Sequence, residues 1–376
     1  MNQRYIDPND CGNEVNMLLL QLHVTGIFLV CGKSFLTLPI HDLLHKLYAS
    51  AGIEMTYFSD FAPNPTYDSV KEGVQAFRES GCNFILAAGG GSAIDVAKCI
   101  KLFAQMKGDE EYLSQKIVSN DIPMMAIPTT AGTGSEATRF AVIYVNGEKH
   151  SIEHENALPQ YVLLYPDSLR TLCDYQKKAT VCDALAHAIE SYWSVHSTKE
   201  SKQWSERAIQ IILEYAEKYM MGEESCYSQM LLAANYAGRA INITKTTAAH
   251  AMCYKLTTML NIPHGHAVML CLPEVWEYMC RHLDACVDTR GEQYLRSTLT
   301  DLAHCLRQES CQEAIEYLKN LRNVWQLGMP DRVEEDQAAE LADSVNAQRL
   351  GNFPISIPKE HLTHIYQCIL QGEAVK

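Results

Sequence analysis

A run of three glycines directly after a buried strand is the feature that most constrains the fold of this chain. Residues 83–98 read NFILAAGGGSAIDVAK, which predicts a strand, a turn at Gly89-Gly90-Gly91-Ser92 and then a helix. Glycines let a backbone approach a phosphate closely, and the first turn of a helix offers unpaired N–H groups and a positive dipole end. Neither the GxGxxG spacing nor the GK[ST] ending of standard nucleotide loops is present. We interpret the segment as a phosphate-binding turn; the alternative is a tight turn without a ligand.

A second polar loop follows the next predicted strand. Residues 127–136 read IPTTAGTGSE, in which Thr129, Thr130 and Thr133 supply hydroxyls and two glycines give access to the backbone. Open parallel sheets bind ligands beyond the carboxyl ends of their strands. Together the two loops predict one nucleotide held between neighbouring strands, although the second loop alone is also compatible with an ordinary polar turn.

The two halves of the chain have different patterns, which predicts two domains, residues 1–168 and 169–376. In the first half, apolar runs alternate with helical stretches; the runs are 26–30, 53–58, 83–88 and 124–128. This alternation predicts an α/β domain with a mostly parallel sheet. The second half predicts an all-α domain, with helical periodicity at 175–195, 200–220, 226–243, 246–260, 267–283 and 292–324.

Composition disfavours several classes of partner. Lys and Arg number 31 against 45 Asp and Glu, a net charge of -14, whereas nucleic acids and anionic membranes attract basic surfaces. The 14 cysteines form no CxxC pair, which is typical of reduced thiols in the cytoplasm. The N-terminal residues lack a signal-peptide pattern, and no apolar run approaches the ~18 residues of a membrane span. We therefore expect a soluble cytoplasmic protein whose partner is a small molecule.

A carboxylate and three histidines form a candidate metal set. Asp183 and His187 are four residues apart in CDALAHAIES and therefore share a helix face. His250 lies in TTAAHAMCYK, and His264 in NIPHGHAV follows 14 residues later, enough for a helix and a return loop. This donor set suits a divalent transition metal such as Fe(II) or Zn. A histidine on an apolar helix is also commonly a core residue, and spacing alone leaves open three other ligands, His154, His196 and His266.

The motifs GGGSAIDVAK, IPTTAGTGSEAT, DALAHAIES and IPHGHAV occur in this order and resemble the iron-containing (group III) alcohol dehydrogenase family over nearly the whole chain. The resemblance implies an α/β dinucleotide-binding domain, a helical metal-binding domain and an active site in the cleft between them, the architecture shared with dehydroquinate synthase. It also implies NAD(P)H, one divalent metal (Fe2+ or Zn2+) and a homodimer or larger assembly. The family's metal ligands fall on Asp183, His187, His250 and His264.

The resemblance also assigns cofactor residues. It places Gly90, Gly91 and Ser92 at the pyrophosphate and Asp95 on the nicotinamide side. The remaining cofactor positions are Asn64 in PNPT, Thr129, Thr130, Thr133 and Lys149.

The sequence departs from the family pattern at two places. Tyr254 stands where many members carry a second histidine that relays a proton, so Tyr254 or a water takes that role. The stretch after the first of the predicted strands contains Gly32, Lys33 and Ser34, whereas NAD-preferring members often have an aspartate there. No carboxylate would repel a 2′-phosphate, so we expect NADPH to be slightly favoured; the alternative is that Lys33 is only a solvated loop charge.

Two segments, INITKTTAAHAMCYKL and IPHGHAVMLCLPEVWEYM, resemble the phosphonoacetaldehyde reductase (hydroxyethylphosphonate dehydrogenase) branch of the family. The implied reaction reduces an aldehyde, with a Lewis-acid metal at the carbonyl and hydride from the nicotinamide. A dianionic substrate favours Arg or Lys, and the candidates are Lys245, Arg139 and Arg349. Lys245 also precedes His250 closely enough to act near the reacting centre. The alternatives are a general alcohol dehydrogenase on a non-phosphonate substrate, a dehydroquinate synthase-like lyase and a non-catalytic binding protein.

Overall fold

The computed structural model describes residues 3–108, 111–330 and 337–371, which form two compact units. The first unit runs to Leu172 and includes residues 223–235, and the second comprises residues 173–222 and those from Tyr236 onward. The domain boundary at 168/169 stays a prediction. Within the described ranges, every helix is too short or too polar to cross a membrane.

The first unit is built on a six-stranded sheet in which all pairings are parallel. The sheet order is β1-β8-β5-β4-β2-β3, with bounds β1 Arg4–Ile6, β2 Gly26–Cys31, β3 Glu54–Phe58, β4 Phe84–Gly89, β5 Met124–Pro128 and β8 Tyr161–Leu163. Every residue of β2, β4 and β5 is buried, because apolar clusters cover both faces of these strands. The predicted α/β class is therefore confirmed, and the continuous apolar runs reflect this two-sided burial.

The helices of the first unit follow the strands, with bounds α1 Cys11–Gln21, α2 Pro39–Ser50, α3 Tyr67–Ser80 and α4 Gly91–Phe103. The sequence interpretation missed an antiparallel hairpin of β6, Phe140–Val145, and β7, Glu148–Glu153. Its two-residue turn is Asn146-Gly147, with φ of 51° and 82°. An Asn-Gly pair between apolar-alternating runs favours such a turn, so the signal was present in the sequence.

The second half of the chain is helical, as predicted; its helices are α5 Asp174–Trp193, α6 Lys199–Met220, α7 Tyr227–Thr244, α8 Ala248–Met259, α9 His264–Arg281, α10 Glu292–Cys305, α11 Cys311–Val324, α12 Gln337–Asp343, α13 Ala347–Leu350 and α14 Lys359–Gln371. The single helical stretch predicted at 292–324 is wrong, since two helices occupy it. Arg307 adopts a left-handed φ of 60° after α10. Ser310 then caps α11 by accepting a hydrogen bond from the Glu313 N–H at 3.2 Å.

A fully buried lysine ties α4 to the chain that follows β5. The Lys98 ammonium donates to the Ser135 carbonyl oxygen at 2.7 Å, the Ser135 hydroxyl at 2.9 Å, Thr138 Oγ1 at 3.0 Å and the Phe140 carbonyl oxygen at 2.6 Å. Burial lowers the pKa of Lys98 from 10.5 to about 8, and the nearby Asp95 carboxylate offsets only part of this shift. The helix that begins at the glycine loop is thereby anchored to the second polar loop.

We predict that Lys98→Met lowers the free energy of unfolding by roughly 3 kcal/mol, because it leaves several buried oxygens without their donor. The loss should grow as pH rises from about 8 to 10.5. In that window the unfolded wild-type chain binds a proton on Lys98 that the folded protein has released, so the wild type gains stability with pH and the variant does not. Urea unfolding at pH 7.5 and 9.5 measures both effects.

The control is Lys46→Met, which alters an exposed lysine of α2 and should change stability by no more than about 0.5 kcal/mol. A difference between wild type and Lys98→Met that does not change with pH would contradict the account of the buried ammonium.

Candidate active site

The glycine loop and the second polar loop lie side by side in the first unit. Strand β4 pairs with β5, and the Thr129 N–H donates to the Gly89 carbonyl oxygen at 3.0 Å. A Cβ added to Gly91 would lie 2.8 Å from Thr133 Cγ2, and one added to Gly90 would lie 3.2 Å from Thr130 Cγ2. The two loops therefore approach each other closely, with least room at Gly91, and Gly91 and Ser92 open helix α4. The contacts of these residues with the pyrophosphate stay predictions.

Asp95 joins α4 to the neighbouring loop. Its carboxylate accepts hydrogen bonds from Ser135 Oγ at 2.6 Å and from the Val142 N–H at 3.0 Å. Burial raises the pKa of Asp95, whereas the charges of Lys98 and of Lys149, on β7, oppose that rise. The structure thus gives Asp95 a positioning role for the second loop, and its approach to the nicotinamide remains a prediction.

The residues expected at the outer end of the cofactor lie on exposed loops. Gly32 follows β2, and the exposed Lys33 and Ser34 open a short 3-10 turn with no carboxylate in the stretch 31–38. Asn64 is exposed and has a left-handed φ of 60° just before α3. Nothing in these positions opposes the predicted preference for NADPH.

The four predicted metal ligands come together in the second unit. Helix α5 carries Asp183 and His187, α8 carries His250, and His264 is the first residue of α9. Ligand atoms of Asp183, His187 and His250 lie within 4.8 Å of one another. From Asp183 Oδ1 the distances are 3.4 Å to His250 Nε2 and 3.9 Å to Nε2 of both His187 and His264.

This cluster fits a divalent metal. Asp183 Oδ1 and His250 Nε2 are buried and have no hydrogen-bond partner among the described residues, a state that costs roughly 1–3 kcal/mol for each group. Burial raises the pKa of Asp183, but the neighbouring imidazoles outweigh it and hold that pKa well below its usual range, so the group is a carboxylate. A carboxylate oxygen with three imidazole nitrogens is a donor set for Fe(II) or Zn.

The other histidines left open by spacing have different environments. Both ring nitrogens of His266 are hydrogen-bonded, Nδ1 to the Tyr175 hydroxyl at 2.9 Å and Nε2 to the Gly328 carbonyl oxygen at 3.0 Å. His154 accepts from the Asn156 N–H at 3.1 Å in the first unit, and His196 is exposed after α5. The structure groups none of these three with Asp183.

Gly265 allows His264, the fourth predicted ligand, to reach the cluster. The sequence interpretation missed this role of Gly265. A Cβ at this position would overlap the Ala179 carbonyl oxygen of α5 and lie 2.9 Å from Asp183 Cβ. Because only hydrogen occupies this space, the first turn of α9 can pack against α5 beside Asp183. The motif PHGH contained the signal, since a glycine inside the first turn of a helix is otherwise unfavourable.

Glu190 was also missed, although it lies seven residues after Asp183 on α5. It is fully buried and its carboxylate contacts the His250 ring at Nδ1. A buried acid at this helical spacing from a ligand is a recognisable signal in DALAHAIE, but only the structure shows what it contacts.

The predicted substrate residues separate into two groups. In the second unit, Tyr254 stacks on His264 with ring centroids 5.8 Å apart, and the Arg349 guanidinium lies 5.3 Å from the Tyr254 ring. Arg349 Nη1 donates to Thr246 Oγ1 at 3.1 Å, and Lys245 directly precedes Thr246 with a left-handed φ of 62°.

Arg139 has a different environment, in the first unit. Its guanidinium binds Glu153 at 3.1 Å and Glu155 at 3.3 Å, so two carboxylates already balance its charge. Of the three cations predicted to bind an anionic substrate, only Lys245 and Arg349 belong to the unit that holds the metal ligands.

Comparison with known proteins identifies the family. Residues 2–166 match the model of the family described as iron-containing alcohol dehydrogenase, and residues 177–370 match that of the Fe-containing alcohol dehydrogenase family, C-terminal. An NADPH-dependent butanol dehydrogenase of Clostridium saccharobutylicum is 26% identical over 86% of each chain. A phosphonoacetaldehyde reductase of Streptomyces viridochromogenes is 29% identical over 79% of this chain and 78% of that protein.

One similar solved structure is that of a sulfoacetaldehyde reductase from Bifidobacterium kashiwanohense in complex with NAD+. It superposes with a TM-score of 0.83 at 25% identity, covering 99% of this chain and 100% of the other.

We predict that Gly265→Ala reduces bound metal from about one ion per chain to less than 0.1, because the added methyl group forces α9 away from α5 and moves His264. Elemental analysis of the purified variant measures this. The matched control is Gly12→Ala, at a position with open space around it, which should keep full occupancy. His187→Ala, which removes a predicted ligand, should also lose metal. Full metal occupancy in a folded Gly265→Ala protein would contradict the role given to the close approach of α9 and α5.

Proposed function

The chain belongs to the iron-containing alcohol dehydrogenase family, and we propose that it reduces a short aldehyde bearing an anionic group, phosphonoacetaldehyde, to 2-hydroxyethylphosphonate. The family members are oxidoreductases that use NAD(P) and a divalent metal. We further propose that this chain favours NADPH, because Lys33 and its neighbours after β2 present a cation and no carboxylate to a 2′-phosphate.

The observation that carries the proposal is the environment of Arg349. No carboxylate among the described residues pairs with its guanidinium, which donates one hydrogen bond to Thr246 and rests on the Tyr254 ring. Arg349 is partly buried, although the chain carries an excess of acidic residues that could have balanced its charge. Such a group suits a phosphonate, since the planar guanidinium donates two parallel hydrogen bonds to an oxyanion.

The position of Arg349 determines where the aldehyde end of a bound anionic substrate would lie. Tyr254 lies between Arg349 and His264, so an extended substrate that contacts Arg349 has its other end on the side of the metal ligands. Lys245, in the loop between α7 and α8, is a second basic residue and directly precedes Thr246, which accepts the Arg349 hydrogen bond. The named functions of two similar proteins, a phosphonoacetaldehyde and a sulfoacetaldehyde reductase, are consistent with a two-carbon aldehyde that ends in an oxyanion.

The protein residues divide the chemistry between them. Asp183, His187, His250 and His264 would hold the divalent metal, which when bound supplies Lewis acidity toward the substrate oxygen. NADPH supplies the hydride, and the two loops at β4 and β5 position the nucleotide. Tyr254 is the candidate proton donor. Burial raises its pKa above the usual range while Arg349 opposes the rise, so the phenol carries its proton at neutral pH.

We predict that Arg349→Gln raises KM for phosphonoacetaldehyde about tenfold or more and leaves KM for butanal within about twofold. A charge-assisted hydrogen bond is worth roughly 1.5–3 kcal/mol, and the uncharged aldehyde makes none. Steady-state oxidation of NADPH with each aldehyde measures the two effects, and Arg349→Lys should restore part of the affinity because it retains the charge.

Arg296→Gln is the matched control, since that arginine pairs with Glu292 on the exposed face of α10 and should affect neither aldehyde. Equal changes in KM for both aldehydes in Arg349→Gln would show that Arg349 only supports the fold. A dehydroquinate synthase-like lyase would give no net consumption of added NADPH with either aldehyde.

A further inference from the structure

Glu190 makes an unusual set of contacts with the start of α8. Its Oε1 atom accepts hydrogen bonds from the Thr247 N–H at 3.1 Å, the Thr247 hydroxyl at 2.6 Å, the Ala249 N–H at 3.0 Å and the His250 N–H at 3.4 Å. Its Oε2 atom contacts His250 Nδ1. One carboxylate thus binds both the first turn of α8 and the ring of the ligand that this turn carries.

We propose that Glu190 is a positioning residue of the metal centre, which fixes the tautomer and orientation of the His250 imidazole. A carboxylate accepts only, so Nδ1 must carry the hydrogen that Glu190 receives. The Nε2 atom is then left with its lone pair, and it faces Asp183 at 3.4 Å. A metal-binding histidine needs this arrangement, because the ring nitrogen opposite the metal must hold the proton.

The same carboxylate also fixes where His250 stands relative to α5. Helix α8 begins with N–H groups that have no partner within the helix, and a negative charge at this end is favourable. Glu190 supplies both requirements from α5, the helix that bears Asp183 and His187. Trp193, also on α5, donates from Nε1 to Thr247 Oγ1 at 2.9 Å and so holds the residue that donates two hydrogen bonds to Glu190.

The chemistry requires a carboxylate at this position rather than any polar group of the same size. Within the described part of the chain, the hydrogen-bond partners of the Glu190 carboxylate are three backbone N–H groups, one hydroxyl and the imidazole Nδ1 of His250. A glutamine would direct an NH2 group against at least one of them. The inference concerns the metal ligands and is independent of which aldehyde is the substrate.

The test is the Zn2+ affinity of the metal-free protein, measured by competition with a chromophoric chelator. We expect Glu190→Gln to weaken Zn2+ binding 10- to 100-fold, the usual effect of removing a group that orients a ligand. Thr247→Val removes one donor to Glu190 and keeps the acid, and a several-fold weakening is expected. Unchanged affinity in Glu190→Gln would overturn the proposal, even if the variant unfolds at a lower temperature.

Glu274→Gln is the control for a merely structural effect. Glu274 is a buried acid of α9 that lies 3.6 Å from the Lys319 ammonium and 3.9 Å from the Arg322 guanidinium. Its substitution should lower the thermal midpoint and leave Zn2+ affinity within about twofold. If Glu190→Gln does not fold, Thr247→Val decides the question, since Zn2+ affinity unchanged from wild type would overturn the proposal.

Discussion

The buried charge of Asp183 is the constraint on which the rest of the site depends. A carboxylate in the protein interior is costly unless cations or donors surround it. Three imidazoles from three helices converge on one oxygen of Asp183, an arrangement in which a bound divalent metal would supply the missing positive charge. Gly265 lets α9 approach α5, and Glu190 turns the His250 ring toward Asp183. The packing of α5, α8 and α9 around Asp183 therefore depends on these polar contacts as well as on apolar burial.

The candidate substrate residues lie beside the same cluster. The Tyr254 ring is 5.8 Å from the His264 ring and 5.3 Å from the Arg349 guanidinium, so Tyr254 contacts both a predicted metal ligand and the candidate anion anchor. Family membership accounts for a divalent metal and for NAD(P). No carboxylate among the described residues pairs with the Arg349 guanidinium, and the proposal of a charged aldehyde rests on that environment.

The sequence pattern predicted those features that depend only on residues close together in the chain. The apolar runs marked the central strands, and the four-residue spacing placed Asp183 and His187 on one helix face. Tertiary contacts decided the rest. Sequence could not show that Glu153 and Glu155 pair with Arg139, whereas no carboxylate in the described part of the chain pairs with Arg349. Nor could it show that Glu190 contacts His250. The boundary between α10 and α11 was missed because it depends on the left-handed conformation of Arg307. A glycine would have indicated such a conformation in the sequence, but an arginine does not.

The most direct test is the substrate profile of the metal-loaded wild-type enzyme, followed by NADPH oxidation with phosphonoacetaldehyde, acetaldehyde and butanal. We expect a kcat/KM for phosphonoacetaldehyde at least about tenfold above that for either uncharged aldehyde, since only the phosphonate gains charge-assisted hydrogen bonds. An equal or higher kcat/KM with butanal would contradict it, and would leave an alcohol dehydrogenase of this family whose Arg349 serves another purpose.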